Sequence, residues 1–325
     1  MKKVVVVGGG TGTFTVLSGL KKYPLELSAV VAMSDNGGST GILRDELGVL
    51  PPGDVRQCLV ALSRSDQLMR TLMNYRFSNG TLKGHSFGNL LLSALERITG
   101  SFDLAVEKAS EILLLEGKVL PATLDKIHLV AHLANGKTVR GEAKIEKTNL
   151  LSINRLSLKP SPKANPKAIT ALTNANLIIF APGDLYTSII PTLLVPGIPQ
   201  AITQSKAKKV YVCNLMNKLG HTDGFSVEDH VLKLEEYLGG EIHNVIVNNQ
   251  KPSPLLLKKY AREGEHFVEF KKSASSPRNY ITHALIRKKV FASVPGDAIR
   301  RTFIRHDPER LARLIFKRFI LPKLY

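Results

Sequence analysis

The chain has 325 residues, 43% of them hydrophobic, with two cysteines, no tryptophan and a formal net charge of +18. That apolar content is enough for a substantial core and excludes a disordered chain. The start MKKVVVVGGG lacks the apolar core and cleavage site of a secretory signal, and no apolar run approaches the roughly 18 residues of a membrane span, so the expected location is the cytoplasm.

The first element is a strand, KVVVVG, running into Gly8, Gly9, Gly10 and Gly12 and then into a helix. Such a turn aims backbone N–H groups and a helix dipole at one point, which suits an anion. The dinucleotide pattern G-x-G-x-x-G fits Gly8 and Gly10 but meets Thr13 where a third glycine belongs. The phosphate loop G-x-x-x-x-G-K-[ST] fails for want of its lysine, which argues against an ATPase or GTPase. What survives is a tight approach to the backbone at Gly9, Gly10 and Gly12, with the Thr11 and Thr13 hydroxyls as further donors.

A second strand, LSAVVAM, ends in SDNGGSTG. Asp35 falls where a ribose-binding carboxylate would stand, but Asn36, Gly37, Gly38 and Ser39 make a second anion-friendly turn behind it. PPGDVR then offers a rigid entry to a helix with Asp54 as its cap and Arg56 as an anion contact. GHSFGN satisfies G-x-S-x-G with Ser86 as nominal nucleophile, yet NYRFSNGTLK cannot be the buried strand that a nucleophile elbow needs. His85, Ser86 and Asn89 read instead as polar groups at a helix entrance, facing a ligand or capping the helix. The helices expected next are FGNLLLSALERI and FDLAVEKASEILLL.

Residues 121–160 alternate around an Asn-Gly turn, as an antiparallel hairpin would; KPSPKANP returns the chain to the main sheet. His128 and His132 fall in that strand-like segment, which argues against a metal pair. Helix NPKAITALTNA, strand NLIIFAP with its loop GDLYTS (Gly183, Asp184, Tyr186, Thr187) and a helix follow. Then come strand KVYVCNL with Asn214, helix SVEDHVLKLEEYLG, strand HNVIVNN and a late strand HFVEF. Cys58 and Cys213 lie in separate apolar runs and read as buried free thiols. Residues 251–325 hold 18 Lys or Arg against 6 Asp or Glu, a basic surface with no nucleic-acid motif, so no nucleic acid is expected. Its helix DPERLARLIFKRFI, capped by Asp307, puts Leu311, Leu314, Ile315 and Phe319 on one face for docking onto its own domain.

Apolar strands alternating with helices predict an α/β protein, a Rossmann-like doubly wound, mainly parallel sheet with helices on both faces and a small antiparallel insertion. The whole chain, 1–325, reads as one domain, with 251–325 packed on it. Ligands bind at the carboxyl ends of such strands, so the two glycine loops and the two polar loops converge on one crevice.

In order along the chain, VVVVGGGTGT, SDNGGSTG, PPGDVRQCLVALS, GHSFGNLLL, GKVLPAT, APGDLYTSIIPTLLVPG, VYVCNLM, TDGFSVEDH and RHDPERLA resemble the YvcK branch of the CofD-like family, the gluconeogenesis factors. The resemblance implies a Rossmann-like fold. It also implies binding of a UDP-sugar, above all UDP-N-acetylglucosamine, and a link to carbon metabolism, wall synthesis and cell shape without an established reaction. A partner in wall synthesis and a homodimer stay open, as does magnesium. The enzymatic branch, magnesium-dependent phospho-lactyl transferases, is the alternative, and an NAD-dependent oxidoreductase is the third reading. Relatives commonly read Asp-Asp-Gly-Gly where this chain has Asp35, Asn36, Gly37 and Gly38, which puts a two-carboxylate metal site in doubt. Many carry Ser where this chain has Asp184, whose charge a metal or a lysine would have to offset. By the family pattern, Tyr260 and Arg305 match positions of nucleotide-sugar binding, and a guanidinium at Arg305 suits a diphosphate.

Overall fold

The computed structural model describes residues 1–270, 276–287 and 304–321. Its centre is β1, Lys2–Gly8, whose valines Val4, Val6 and Val7 are fully buried and whose Val5 is 2% exposed. A strand apolar on both sides demands cover on both faces, which only the interior of a parallel sheet provides. Beside β1 lie β2 (Leu25–Val31) and β3 (Lys118–Pro121) on one side. On the other lie β7 (Leu177–Phe180), β8 (Lys208–Val212), β9 (Asn244–Asn248) and β10 (Asn279–His283). The order is β10-β9-β8-β7-β1-β2-β3, and every pairing is parallel. The chain therefore winds outward in one direction from β1 to β3, crosses back over β1, and winds outward in the other from β7 to β10.

Two strand expectations change. HFVEF forms only an isolated bridge, Phe267 with Met216. It lies across the loop that follows β8, where Val268 N–H donates to the Leu215 carbonyl and Asn217 N–H to the His266 carbonyl. The edge of β9 goes instead to NYITH (β10), which was not foreseen. The four residues of β3 were too few to stand out.

The crossover holds the insertion. β4 (His128–Leu133) and β5 (Thr138–Arg140) form the expected hairpin, with Gly136 at φ +79° in its turn. Beyond a short α7 (Glu142–Ile145), β6 (Ile153–Lys159) adds a third strand on the other edge of β4. α8 (Pro166–Thr173), capped by the Asn165 side chain, then leads into β7.

α1 (Gly10–Leu20), α3 (Gly53–Leu62), α5 (Phe87–Thr99), α6 (Phe102–Ile112), α9 (Ile190–Leu193) and α11 (Val227–Leu238) stand where the sequence places them. α2 (Gly38–Leu47), α4 (Gln67–Asn74), α10 (Ile198–Gln204) and α12 (Pro254–Ala261) were not anticipated. The basic helix α13 (Pro308–Ile315) docks on α1: a Cβ on Gly19 would stand 2.1 Å from the Pro308 carbonyl oxygen, and Leu311, Ala312 and Ile315 are buried. Among the described residues no single helix is long and apolar enough to cross a membrane.

Candidate functional site

The strand order reverses between β1 and its neighbours β2 and β7, and the crevice outside their carboxyl ends is where a doubly wound sheet binds ligands. The glycine loop after β1 forms one wall. A Cβ on Gly12 would come 1.5 Å from the Pro182 carbonyl oxygen, so this glycine lets α1 press against the loop after β7. A Cβ on Gly9 would sit 2.1 Å from Asp54 Oδ2, and the Gly10 N–H donates to the same carboxylate. Asp54 is not the cap of α3, whose N-cap position is Pro52 without a side-chain bond; from the first turn of α3 its carboxyl turns instead to the N-terminus of α1, which already holds it. Thr13 lies inside the core with its hydroxyl on the Gly9 carbonyl, 3.3 Å away, so it does not offer a donor to the crevice; Thr11 is exposed.

The loop after β2 repeats the device. Asp35 accepts from Gly37 N–H at 2.8 Å and from the Thr40 hydroxyl. Gly38 and Ser39 open α2. The Ser39 hydroxyl lies 3.1 Å from His85 Nδ1 and accepts from Asn89 Nδ2 at 3.2 Å. Asn89 Oδ1 in turn accepts from Arg56 Nε at 2.9 Å, and Arg56 also donates to the Met73 carbonyl and to Asn74 Oδ1. Arg56 is 5% exposed, so its guanidinium ties α3 to α4 and α5 beneath the crevice. Ser86 caps α5, accepting from Asn89 N–H at 3.3 Å, and the structure has no strand leading into it. It therefore belongs to the helix entrance, not to a nucleophile elbow.

Asn36 faces the insertion. Its Oδ1 accepts from Ala143 N–H at 2.9 Å, which anchors α7 over the loop after β2. Glu142 is thereby brought toward Asp35, Asp54 and Asp184, and nothing in GEAKIEK marks it as a crevice residue.

The opposite wall comes from the loops after β7 and β8. Asn214 grips Gly183 on both sides, accepting from its N–H at 3.0 Å and donating to its carbonyl at 2.7 Å. Asp184 caps a π-helical turn, Leu185–Ile189, accepting from Tyr186 and Thr187 N–H at 3.0 Å each. Its other oxygen receives Lys218 Nζ at 2.6 Å and faces His221 Nδ1 at 3.2 Å. Lys218 is thus the lysine that offsets Asp184, and it also reaches Glu146 of the insertion at 3.1 Å. Lys218 and His221 escaped the sequence reading; their signal was position, directly after a strand that ends at the crevice.

These carboxyls divide by environment. Burial, then the Asp35 charge, pushes Asp54 up to about 7. Burial, then Asp35 and Glu146, pushes Glu142 up to about 9. Asp35 is raised by burial against the pull of its Gly37 and Thr40 bonds. Burial would raise Asp184 too, but His221 and Lys218 outweigh it and hold that carboxyl well below the usual range. Near neutral pH one wall therefore carries carboxyls able to donate as well as accept, and the other carries a fixed ion pair. As for magnesium, among the described residues no three His, Cys, Asp or Glu are grouped as ligands for a metal ion, and Asn36 Oδ1 is committed to Ala143.

Tyr260, 4% exposed, packs with Leu215, Ile286 and Ile304 beside the loop after β8. Its hydroxyl accepts from Ile304 N–H at 3.2 Å, which sets Arg305 next in line on that side.

Comparison with known proteins agrees with this architecture. A crystal structure of a Bacillus halodurans protein of the UPF0052 family superposes with a TM-score of 0.87 at 38% identity, covering 97% of this chain and 99% of that one. A Thermotoga maritima protein is 46% identical over 314 residues, 96% of this chain and 98% of its own length. The Bacillus subtilis protein named "Gluconeogenesis factor" is 38% identical over 316 residues, 96% of each. The family profile described as "2-phospho-L-lactate transferase CofD" matches residues 4–286, nearly the whole sheet with its crevice loops. The chain belongs to the CofD family, among relatives named as gluconeogenesis factors.

Proposed function

We propose that this protein is a cytoplasmic regulator that binds a UDP-sugar, UDP-N-acetylglucosamine first among them, and links carbon metabolism to wall synthesis and cell shape through a protein partner. The observation that carries the reading is the crevice itself, where α7 seated on Asn36 brings Glu142 toward Asp35 and Asp54: carboxyls that burial and their neighbours' charge push upward suit the hydroxyls of a sugar, which need both donors and acceptors. The backbone of Gly38 and Ser39 at the start of α2, which has no side-chain cap, takes the diphosphate, with Arg305 supplying positive charge. Ser86, the nominal nucleophile, spends its hydroxyl capping α5, in keeping with a binding role. The relatives' name supports the link to carbon metabolism.

Calorimetric titration with UDP-N-acetylglucosamine tests it. The expected result is saturable binding, weakened about tenfold or more in Arg305→Ala, with the ligand recovered unchanged. If no UDP-sugar binds, the reading fails. The CofD profile favours a second reading, a transferase acting on a phosphorylated donor; turnover of such a donor on adding magnesium would replace the first.

A further inference from the structure

The opposite end of the sheet holds a cavity of about 1000 Å³ that no part of the proposed function uses. Its origin lies in the crossover. A seven-residue strand is about 23 Å long, whereas the eight residues of α8 span about 12 Å, so α8 covers only part of the face it packs against. The sequence shows the same gap. The strands β1, β2 and β3 are buried toward their carboxyl ends, but at their amino ends Lys3, Glu26 and Lys118 are exposed and Ser28 is half-buried. The pairings Lys3 with Glu26, Val5 with Ser28 and Ser28 with Lys118 put these side chains on one face.

The lining joins an apolar floor, Val5 and Leu120, to a rim in which six Lys or Arg side chains outnumber Glu26 and Glu116. Lys22, Arg64 and Lys167 on that rim are paired with Glu309, Glu116, and Asp103 and Glu107. Lys3 and Lys118 have no ion pair among the described residues, and Lys21 gives its ammonium to the Ser63 carbonyl at 2.9 Å. Burial, then the charge of Arg70, holds Lys21 below the usual lysine range, so an added negative charge there would be welcome.

We propose that this cavity is a second binding site, for a small organic anion whose apolar body lies on Val5 and Leu120 and whose phosphate or carboxylate meets Lys3, Lys21 and Lys118. Its volume is in the range of small-molecule sites. Phosphate and carboxylate headgroups share this chemistry, and the test separates them.

Calorimetric titration of the full chain with phenyl phosphate and with benzoate, against benzyl alcohol and inorganic phosphate as controls, reads the site. One of the two organic anions is expected to saturate a single site, with each control weaker by about tenfold or more. The double variant Lys3→Glu, Lys118→Glu and the cavity-filling Ser28→Trp are each expected to weaken it about tenfold or more. Both should leave the titration with UDP-N-acetylglucosamine unchanged, so this site and the crevice stand or fall separately. Absence of saturable binding overturns the proposal, as does binding indifferent to the charge reversal. Sedimentation showing a dimer that the same reversal dissociates would assign the face to a second copy of the chain instead.

Discussion

At the scale of single residues, Asp54 decides what the first glycine loop can hold. Its folded value, pushed up to about 7, exceeds the roughly 4 expected unfolded, so its contribution to stability is fully present below pH ~4 and is lost as pH rises through 7. Asp54→Asn keeps an oxygen for the Gly10 N–H and removes the charge that Asp35 opposes. The variant should be more stable than the parent at pH 8 by about 1 kcal/mol or more, a midpoint shift of roughly 2 °C in a chain of this size. The gain should shrink below pH 7 and be gone near pH 4. A gain that is constant across that range would show that the carboxyl is not strained. The glycine pattern announced that something approaches the backbone at Gly9 and Gly12. It could not say what, because Asp54 and Pro182 arrive from other segments and leave no local pattern. Arg56 is a companion case: the arginine after the proline turn stands near an anion, the Asp54 carboxyl whose pKa its charge lowers, and its bonds to Asn89, Met73 and Asn74 come from segments that no local pattern could name.

At the scale of elements, the insertion was half legible. Asn-Gly between alternating runs identifies a hairpin from chemistry alone, but the third strand, INRLSLK, carries too many charges for its pattern to stand out. That α7 overhangs the crevice is a matter of docking, through Asn36 to Ala143 and Lys218 to Glu146. The neutral Asn36 seats α7 with one backbone bond and adds no charge beside Asp35. Removing that bond should loosen the helix without unfolding the sheet. In Asn36→Ala the amides of Ala143 and Ile145 should exchange with deuterium about tenfold faster or more, while those of β1 keep their protection. Unchanged exchange at both amides would mean that the hairpin alone holds α7.

At the scale of the whole molecule, the sheet was legible because a parallel strand buried on both sides carries an unbroken apolar run, and β1, β2, β7, β8 and β9 each have one of three residues or more. The outer strand β10 has no such face: NYITH is exposed at three of its five positions, and a long-range ion network helps hold it. Arg278, just before β10 and with its side chain 7% exposed, donates to Glu228 at 3.0 Å and to both oxygens of Glu235 on α11. No rule of periodicity could have found that, because the two glutamates lie 50 and 43 residues away along the chain. Removing one member of a buried ionic group leaves the others uncompensated, a loss of about 3 kcal/mol. Arg278→Met should lower the urea midpoint by that loss divided by the slope, with the slope unchanged, if β10 unfolds with the rest of the sheet. A shallower slope would instead mean that β10 detaches first. Adding Glu235→Gln to the Arg278→Met chain should restore part of the loss, because the stranded carboxylate goes with the arginine. A double variant no more stable than the single one would show that the arginine acts by packing and not by its charge.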